Sequence, residues 1–330
     1  EDGREFRVAP QAVRLGLASI LARAVPFYLL LGLGSIAVIH WLSIWRLAVL
    51  LRSQGVPVSF FECARWHFVA LFYTSFLPGI TGGDLVKVYY LIRRYEDRKA
   101  ASIVTIFVDR VIGMCALAAL GGVVLVAQAG DPRLREAGTV VLTFLAASAA
   151  GGCVFYSRRV RRLLRVDRIV AQLPFSRILR KLDEAMFLFR YRKPQLAGAF
   201  VLAVACHAVG IGMNILLGMA LGLDEVGLGH YFVIVPTIVI LSSIPVSIGG
   251  FGWGEAMYHH FFSALARGSA TDLGNRAVAL SLTSKAAQIL WSLPGGAVLM
   301  AGAPRPVATP AASVAPVAPE VVRDEVPERR

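Results

Sequence analysis

The sequence predicts an all-α polytopic membrane protein: a helical bundle with two re-entrant, broken-helix units arranged as an inverted repeat. Three observations carry that prediction. The first is composition. Of 330 residues, 56% are hydrophobic and only 17% are charged, against about 25% charged in an ordinary soluble domain. The mean hydropathy is +0.64, and several apolar runs reach the ~20 residues that cross a bilayer. The second is a pair of glycine-rich breaks. L-P-G-I-T-G-G-D occupies 77–84, and S-S-I-P-V-S-I-G-G-F-G-W-G-E occupies 242–255. In each, a proline is followed by a Gly-Gly pair (Pro78 by Gly82 and Gly83, Pro245 by Gly249 and Gly250) and then by a carboxylate, Asp84 or Glu255. Proline removes a backbone donor and glycine weakens helix, so each segment should interrupt its helix. Interruptions in corresponding halves of a membrane protein point to a transport site. The third is the placement of charge. The net charge of +13 collects in loops beside apolar spans, as the positive-inside rule requires. That placement excludes the nucleic-acid partner that net charge alone would invite.

Each element follows in order. Residues 1–23 are basic and form a juxtamembrane segment. Residues 24–44 make a first span, with Trp41 and Trp45 as interface anchors and Arg46 and Arg52 in the basic flank beyond it. A helix over 59–76, carrying Glu62, Arg65 and His67, leads into the first break, and 84–95 leaves it. The flanks 46–52 and 87–99 are both basic, which puts both in the cytoplasm and makes 58–94 re-entrant. Broken backbone at that depth needs a cover of protein or a wet cavity. Residues 100–127 form a span, 128–137 an outer loop, and 138–156 a return.

The segment 157–193 holds twelve Lys/Arg against three acids. Phe175, Ile178, Leu179, Leu182, Met186 and Phe189 share one helical face there. This predicts a cytoplasmic amphipathic helix whose cations meet an anionic membrane surface. Residues 196–223 run outward, 231–243 are too short to cross, and 254–266 follow the second break. Residues 275–301 make the last span. Residues 302–330, rich in Pro and Ala, read as a disordered, cytoplasmic tail. Residues 24–301 are thus one transmembrane domain, placed in the inner (cytoplasmic) membrane. The first span then runs from outside to inside and leaves the basic 1–23 outside, so a further span upstream of Glu1 is expected.

Charges within apolar segments are costly and mark function or internal ion pairs. They are Asp84, Lys87, Asp109, Arg110, Glu255 and Lys285. One reading is a polar pocket at the repeat interface. Broken helix ends would offer free N–H groups to a phosphate, and Arg110 and Lys285 would add donors to a phosphodiester headgroup. Asp84 or Glu255 would contact an amine or exchange a proton. The other reading is that Asp109/Arg110 and Glu255/Lys285 neutralise one another and only hold the bundle together. Glu255 and His259 share a helix face, but no third ligand is placed, so no metal is expected. His40, His67, His207 and His230 read as interfacial or packed histidines. Cys63, Cys115, Cys153 and Cys206 lie far apart in apolar stretches and read as core packing. No nucleotide-binding loop, nucleophile elbow or soluble catalytic domain is present, and no cofactor is expected.

Four stretches carry a family resemblance: Trp45-Arg46 with Leu50-Leu51, F-L-P-G-I-T-G-G-D-L-V-K at 76–87, V-D-R-V-I-G at 108–113, and S-I-P-V-S-I-G-G-F-G-W-G-E at 243–255. Over about 24–300 the chain resembles the flippase-like transmembrane family typified by the membrane half of lysylphosphatidylglycerol synthases. The resemblance implies movement of a phospholipid, or of another lipid with a charged headgroup, between leaflets. It implies roles for Pro78, Gly82, Gly83, Asp84, Asp109, Arg110, Pro245, Gly249, Gly250 and Glu255. In that family a separate cytosolic domain attaches the amino acid, and no such domain is expected within residues 1–330. Two alternatives stay open. One is a membrane enzyme transferring an aminoacyl or glycosyl group to a lipid. The other is a non-catalytic membrane partner of a lipid-modifying enzyme.

Overall fold

The structure is a computed structural model, and it describes residues 17–75, 82–156, 176–244 and 251–301. Among these residues the regular structure is entirely helical. In chain order the α-helices are α1 (Leu17–Ala22), α2 (Pro26–Ser53), α3 (Phe60–Thr74), α4 (Gly82–Arg94), α5 (Lys99–Ala127), α6 (Arg135–Tyr156), α7 (Ser176–Leu188), α8 (Lys193–Ala220), α9 (Leu228–Ser242), α10 (Trp253–Ser263) and α11 (Ala270–Met300). Pro78, Pro245, Gly249, Gly250, the segment 157–175 and the tail 302–330 lie outside the described residues.

Among the described residues, four stretches are long and apolar enough to cross a bilayer: Pro26–Ser53, Glu96–Ala127, Pro132–Cys153 and Lys193–Ala220. They correspond to α2, α5, α6 and α8. Where the last span is expected, at 275–301, a continuous helix of 31 residues, α11, is present, less apolar than those four because it carries Lys285, Gln288 and several serines. It turns polar residues inward, and Ser281, Ser284 and Ser292 are buried. The first span is corrected. It does not stop at 44 but runs on to Ser53, so Arg46 lies inside the helix and is buried. Trp41 and Trp45 face outward, as interface anchors should.

Two four-helix units share one plan. In the first, α2, α3, α4 and α5 have 28, 15, 13 and 29 residues. In the second, α8, α9, α10 and α11 have 28, 15, 11 and 31. The packing repeats as well. α2 lies along α8, α3 packs on α11 as α9 packs on α5, and α4 packs on α5 as α10 packs on α11. Exchanging the two units maps each of these contacts onto another. At the α2–α8 crossing, Cys206 Sγ lies 3.6 Å from the Ile39 carbonyl oxygen, 167 residues away in sequence. The same separation of 167 relates Pro78 to Pro245 and the two Gly-Gly pairs to each other.

Local chemistry sets the helix ends. The Ser59 hydroxyl accepts from the Glu62 N–H at 3.1 Å, and the Glu62 carboxylate accepts from the Ser59 N–H at 3.0 Å. This reciprocal cap satisfies two otherwise free donors at the start of α3. Two glycines then fix where α3 sits. A Cβ on Gly83 of α4 would collide with Thr74 Oγ1 and lie 2.6 Å from the Ala70 carbonyl oxygen. One on Gly295 of α11 would collide with the Phe68 carbonyl oxygen. α3 is therefore held backbone-close to α4 on one side and α11 on the other.

Elsewhere, the amphipathic helix expected between 175 and 189 forms as α7. Its Ala185, and Phe189 just past its end, are buried with Leu50, Val104, Val108 and Ala199, so part of its apolar face is covered by the bundle. Cys63 and Cys206 are buried as expected, but Cys153 is exposed, because it lies on the outward side of α6. In the α5–α6 loop, Asp131 accepts from Arg133 Nη2 at 2.7 Å and contacts His230 Nε2 of α9 at 3.0 Å. Hydrogen bonds from Arg133 and His230 hold its carboxyl well below the usual range.

Candidate functional site

The charges predicted from sequence fall into two groups on either side of α3. The first lies where α2, α4 and α5 meet. Arg46 of α2 donates from Nε to Asp109 Oδ1 at 2.6 Å and from Nη2 to Oδ2 at 3.0 Å. This is a two-pronged pair, the geometry for which guanidinium and carboxylate are matched. It corrects the expectation that Asp109 neutralises Arg110. Successive residues on a helix point about 100° apart, so Asp109 turns to α2 and Arg110 turns away. Arg110 makes no ion pair among the described residues, and its Nη2 is buried without a hydrogen-bond partner.

On α4, Lys87 Nζ donates to Asp84 Oδ1 at 3.2 Å, one helical turn apart. Asp84 lies within electrostatic reach of Arg46, and Lys87 within reach of His40 and His67. Gly82 and Gly83 are the first two residues of α4 and are buried.

The second group lies where α10 meets α11. Lys285 Nζ donates to Glu255 Oε1 at 2.6 Å. The other carboxylate oxygen of Glu255 accepts from the Gly252 N–H at 2.6 Å, which fastens the carboxylate to the start of α10. Lys285 Nζ also sits 4.6 Å from the centre of the Phe251 ring, a cation–π distance. The Glu255–Lys285 pair expected from sequence is thus formed, and each side chain is mostly buried.

Two cavities adjoin one another here, and of the predicted charges among the described residues Lys285 borders one of them. One of about 40 Å³ is bordered by Thr74 and Ser75 at the end of α3, by Phe251, and by Lys285. The residues flanking both glycine-rich breaks therefore converge on one space. A larger cavity, about 220 Å³, shares Leu71 and Gln288 with it and reaches His40, His207 and Asn214. Sequence reasoning did not select these polar residues. His40 Nδ1 lies 3.0 Å from His67 Nε2, and Asn214 Oδ1 accepts from the Tyr258 hydroxyl at 2.7 Å. A signal was available for the histidines. His40 and His207 stand 167 residues apart, the separation of the two breaks. Among the described residues, no three or more His, Cys, Asp or Glu gather as metal ligands.

No curated protein and no solved structure matches the chain. The family model for the transmembrane region of lysylphosphatidylglycerol synthase matches residues 16–296. With its helices long and apolar enough to cross a bilayer and its charges buried between them, the chain is a membrane protein of the lysylphosphatidylglycerol synthase transmembrane family.

Proposed function

We propose that this chain moves a lipid with an anionic headgroup between leaflets, gripping the headgroup between its two repeats. The observation that carries the reading is Arg110. A buried guanidinium nitrogen without a partner is costly, and an arriving phosphodiester would supply the missing acceptor. Asp109 is fully engaged by Arg46 and does not compete for it. Lys285 borders the cavity between the flanks of the two breaks, and a phosphate there would share it with Glu255. The N–H groups at the start of α4 add a third source of positive potential. In this reading α3–α4 and α9–α10 are re-entrant units of opposite sense, set in the inner membrane. Residues 157–193 and the C-terminus lie on the anionic cytoplasmic face. A separate lipid-modifying enzyme would be the natural source of the lipid.

The test is leaflet exchange by the purified full chain in vesicles, read by quenching of a labelled phosphatidylglycerol from one side. Exchange should depend on the protein, should be lost in Arg110→Ala and should be partly retained in Arg110→Lys. Arg110→Ala and Glu255→Gln variants that both exchange lipid at the wild-type rate would remove the charges from the mechanism. Conversion of the lipid in place of its movement would make the site catalytic instead.

A further inference from the structure

The transport reading leaves the larger cavity without a role, although it is the more distinctive of the two. It lies between α2 and α8, the pair on which the repeat turns. Its walls are mostly apolar, with Ile36, Leu117 and Val235 among them, and among the described residues no Asp, Glu, Lys or Arg lines it. An ionic group placed there would meet no charged side chain on the walls themselves, which favours an uncharged occupant. Yet the cavity is not purely apolar. His40 and His207 line it, one from each repeat; the Nε2 of each is buried without a well-formed hydrogen bond, that of His207 lying beside the Gly113 backbone. His40 is only 8% exposed, so bulk water does not readily satisfy it.

We propose that this cavity holds the glycerol ester region of the transported lipid, with His40 and His207 donating to its two carbonyl oxygens. The inference rests on the transport reading and names which part of the lipid goes where. The hydrogen bond between His40 Nδ1 and His67 Nε2 makes the donor role available. When the His67 Nε2–H donates to His40 Nδ1, the proton of His40 sits on Nε2, where it serves an incoming oxygen. Two donors related by the repeat match two ester carbonyls on one glycerol. Apolar walls take the first methylenes of the chains, as in other lipid and small-molecule sites. The anionic headgroup reaches past Leu71 and Gln288, which border both cavities, toward Lys285.

The purified full chain is offered equal amounts of dioleoyl phosphatidylglycerol and its diether analogue, and the retained lipid is measured by native mass spectrometry. Headgroup and chains are the same, and only the carbonyl oxygens differ. Retention should favour the diester about thirtyfold, the weight of two ordinary hydrogen bonds of about 1 kcal/mol each. His40→Leu and His207→Leu should each bring the ratio toward one. Equal retention of diester and diether by the wild-type chain overturns the inference and leaves the cavity to water; that comparison needs no variant to fold. Retention of neutral dioleoylglycerol as strong as that of phosphatidylglycerol would instead count against the transport reading, whatever the ester ratio.

Discussion

Arg46 of α2 takes both carboxylate oxygens of Asp109 of α5, and this contact ties the first helix of its repeat to the last. Both groups are mostly buried. Removing one partner of such a pair leaves an uncompensated charge and costs about 3–5 kcal/mol. Asp109→Asn and Arg46→Met should each lower the thermal unfolding midpoint in detergent by that equivalent. The double variant Arg46→Met/Asp109→Leu should recover most of the loss. A double variant as unstable as the sum of the two would show that the pair is not acting as a unit.

Arg110 should behave in the opposite way. Its buried Nη2 has no partner to lose, so Arg110→Gln should leave the unfolding midpoint unchanged or raise it. Lipid exchange should fall by about tenfold or more, the effect of losing a charge-assisted hydrogen bond of 1.5–3 kcal/mol. A variant that loses stability and activity together would make Arg110 a structural residue.

Gly83 and Gly295 predict a steric result. Either glycine replaced by alanine drives a methyl group into the α3 backbone at Ala70 or Phe68. Overpacking of this kind costs about 1–3 kcal/mol. Gly34 is the control, since nothing lies within 4 Å of a Cβ built there. Gly34→Ala should be neutral or slightly stabilising, because alanine favours helix. Unfolding midpoints of the three variants check the ranking.

The Asp131 clamp predicts a pH dependence. Its carboxyl is held below the ordinary 3.8 by hydrogen bonds from Arg133 and His230. A depressed carboxyl contributes stability that is fully present above 3.8 and is lost as pH falls through its lower folded value. Wild type should therefore be more stable than Asp131→Asn near neutral pH, and the gap should close on acidification below about 3.8. Measuring both midpoints across that range tests the sign.

Much of the fold was legible in the residues. Hydrophobic runs marked α2, α5, α6 and α8, and the proline–glycine segments marked where α3 and α9 stop. Glu255 and Lys285 were readable as a pair because few ionic groups lie in apolar surroundings, and each demands an answer. The errors share one cause. Arg46 was read as a flank because one-dimensional hydropathy cannot see a counter-ion 63 residues away. The alternative that pairs Arg110 with Asp109 fails because adjacency in sequence is not adjacency in space.

The sequence by itself determined that this chain is helical and membrane-embedded, because composition and periodicity express the solvent each residue must meet. Only the tertiary structure decided which charges cancel and which do not. It joined Arg46 to Asp109, left Arg110 unpaired among the described residues, and brought His40 and His207 to one cavity. The physical reason is that pairing and cavity formation depend on distances of a few ångströms between helices, and those distances are set by packing.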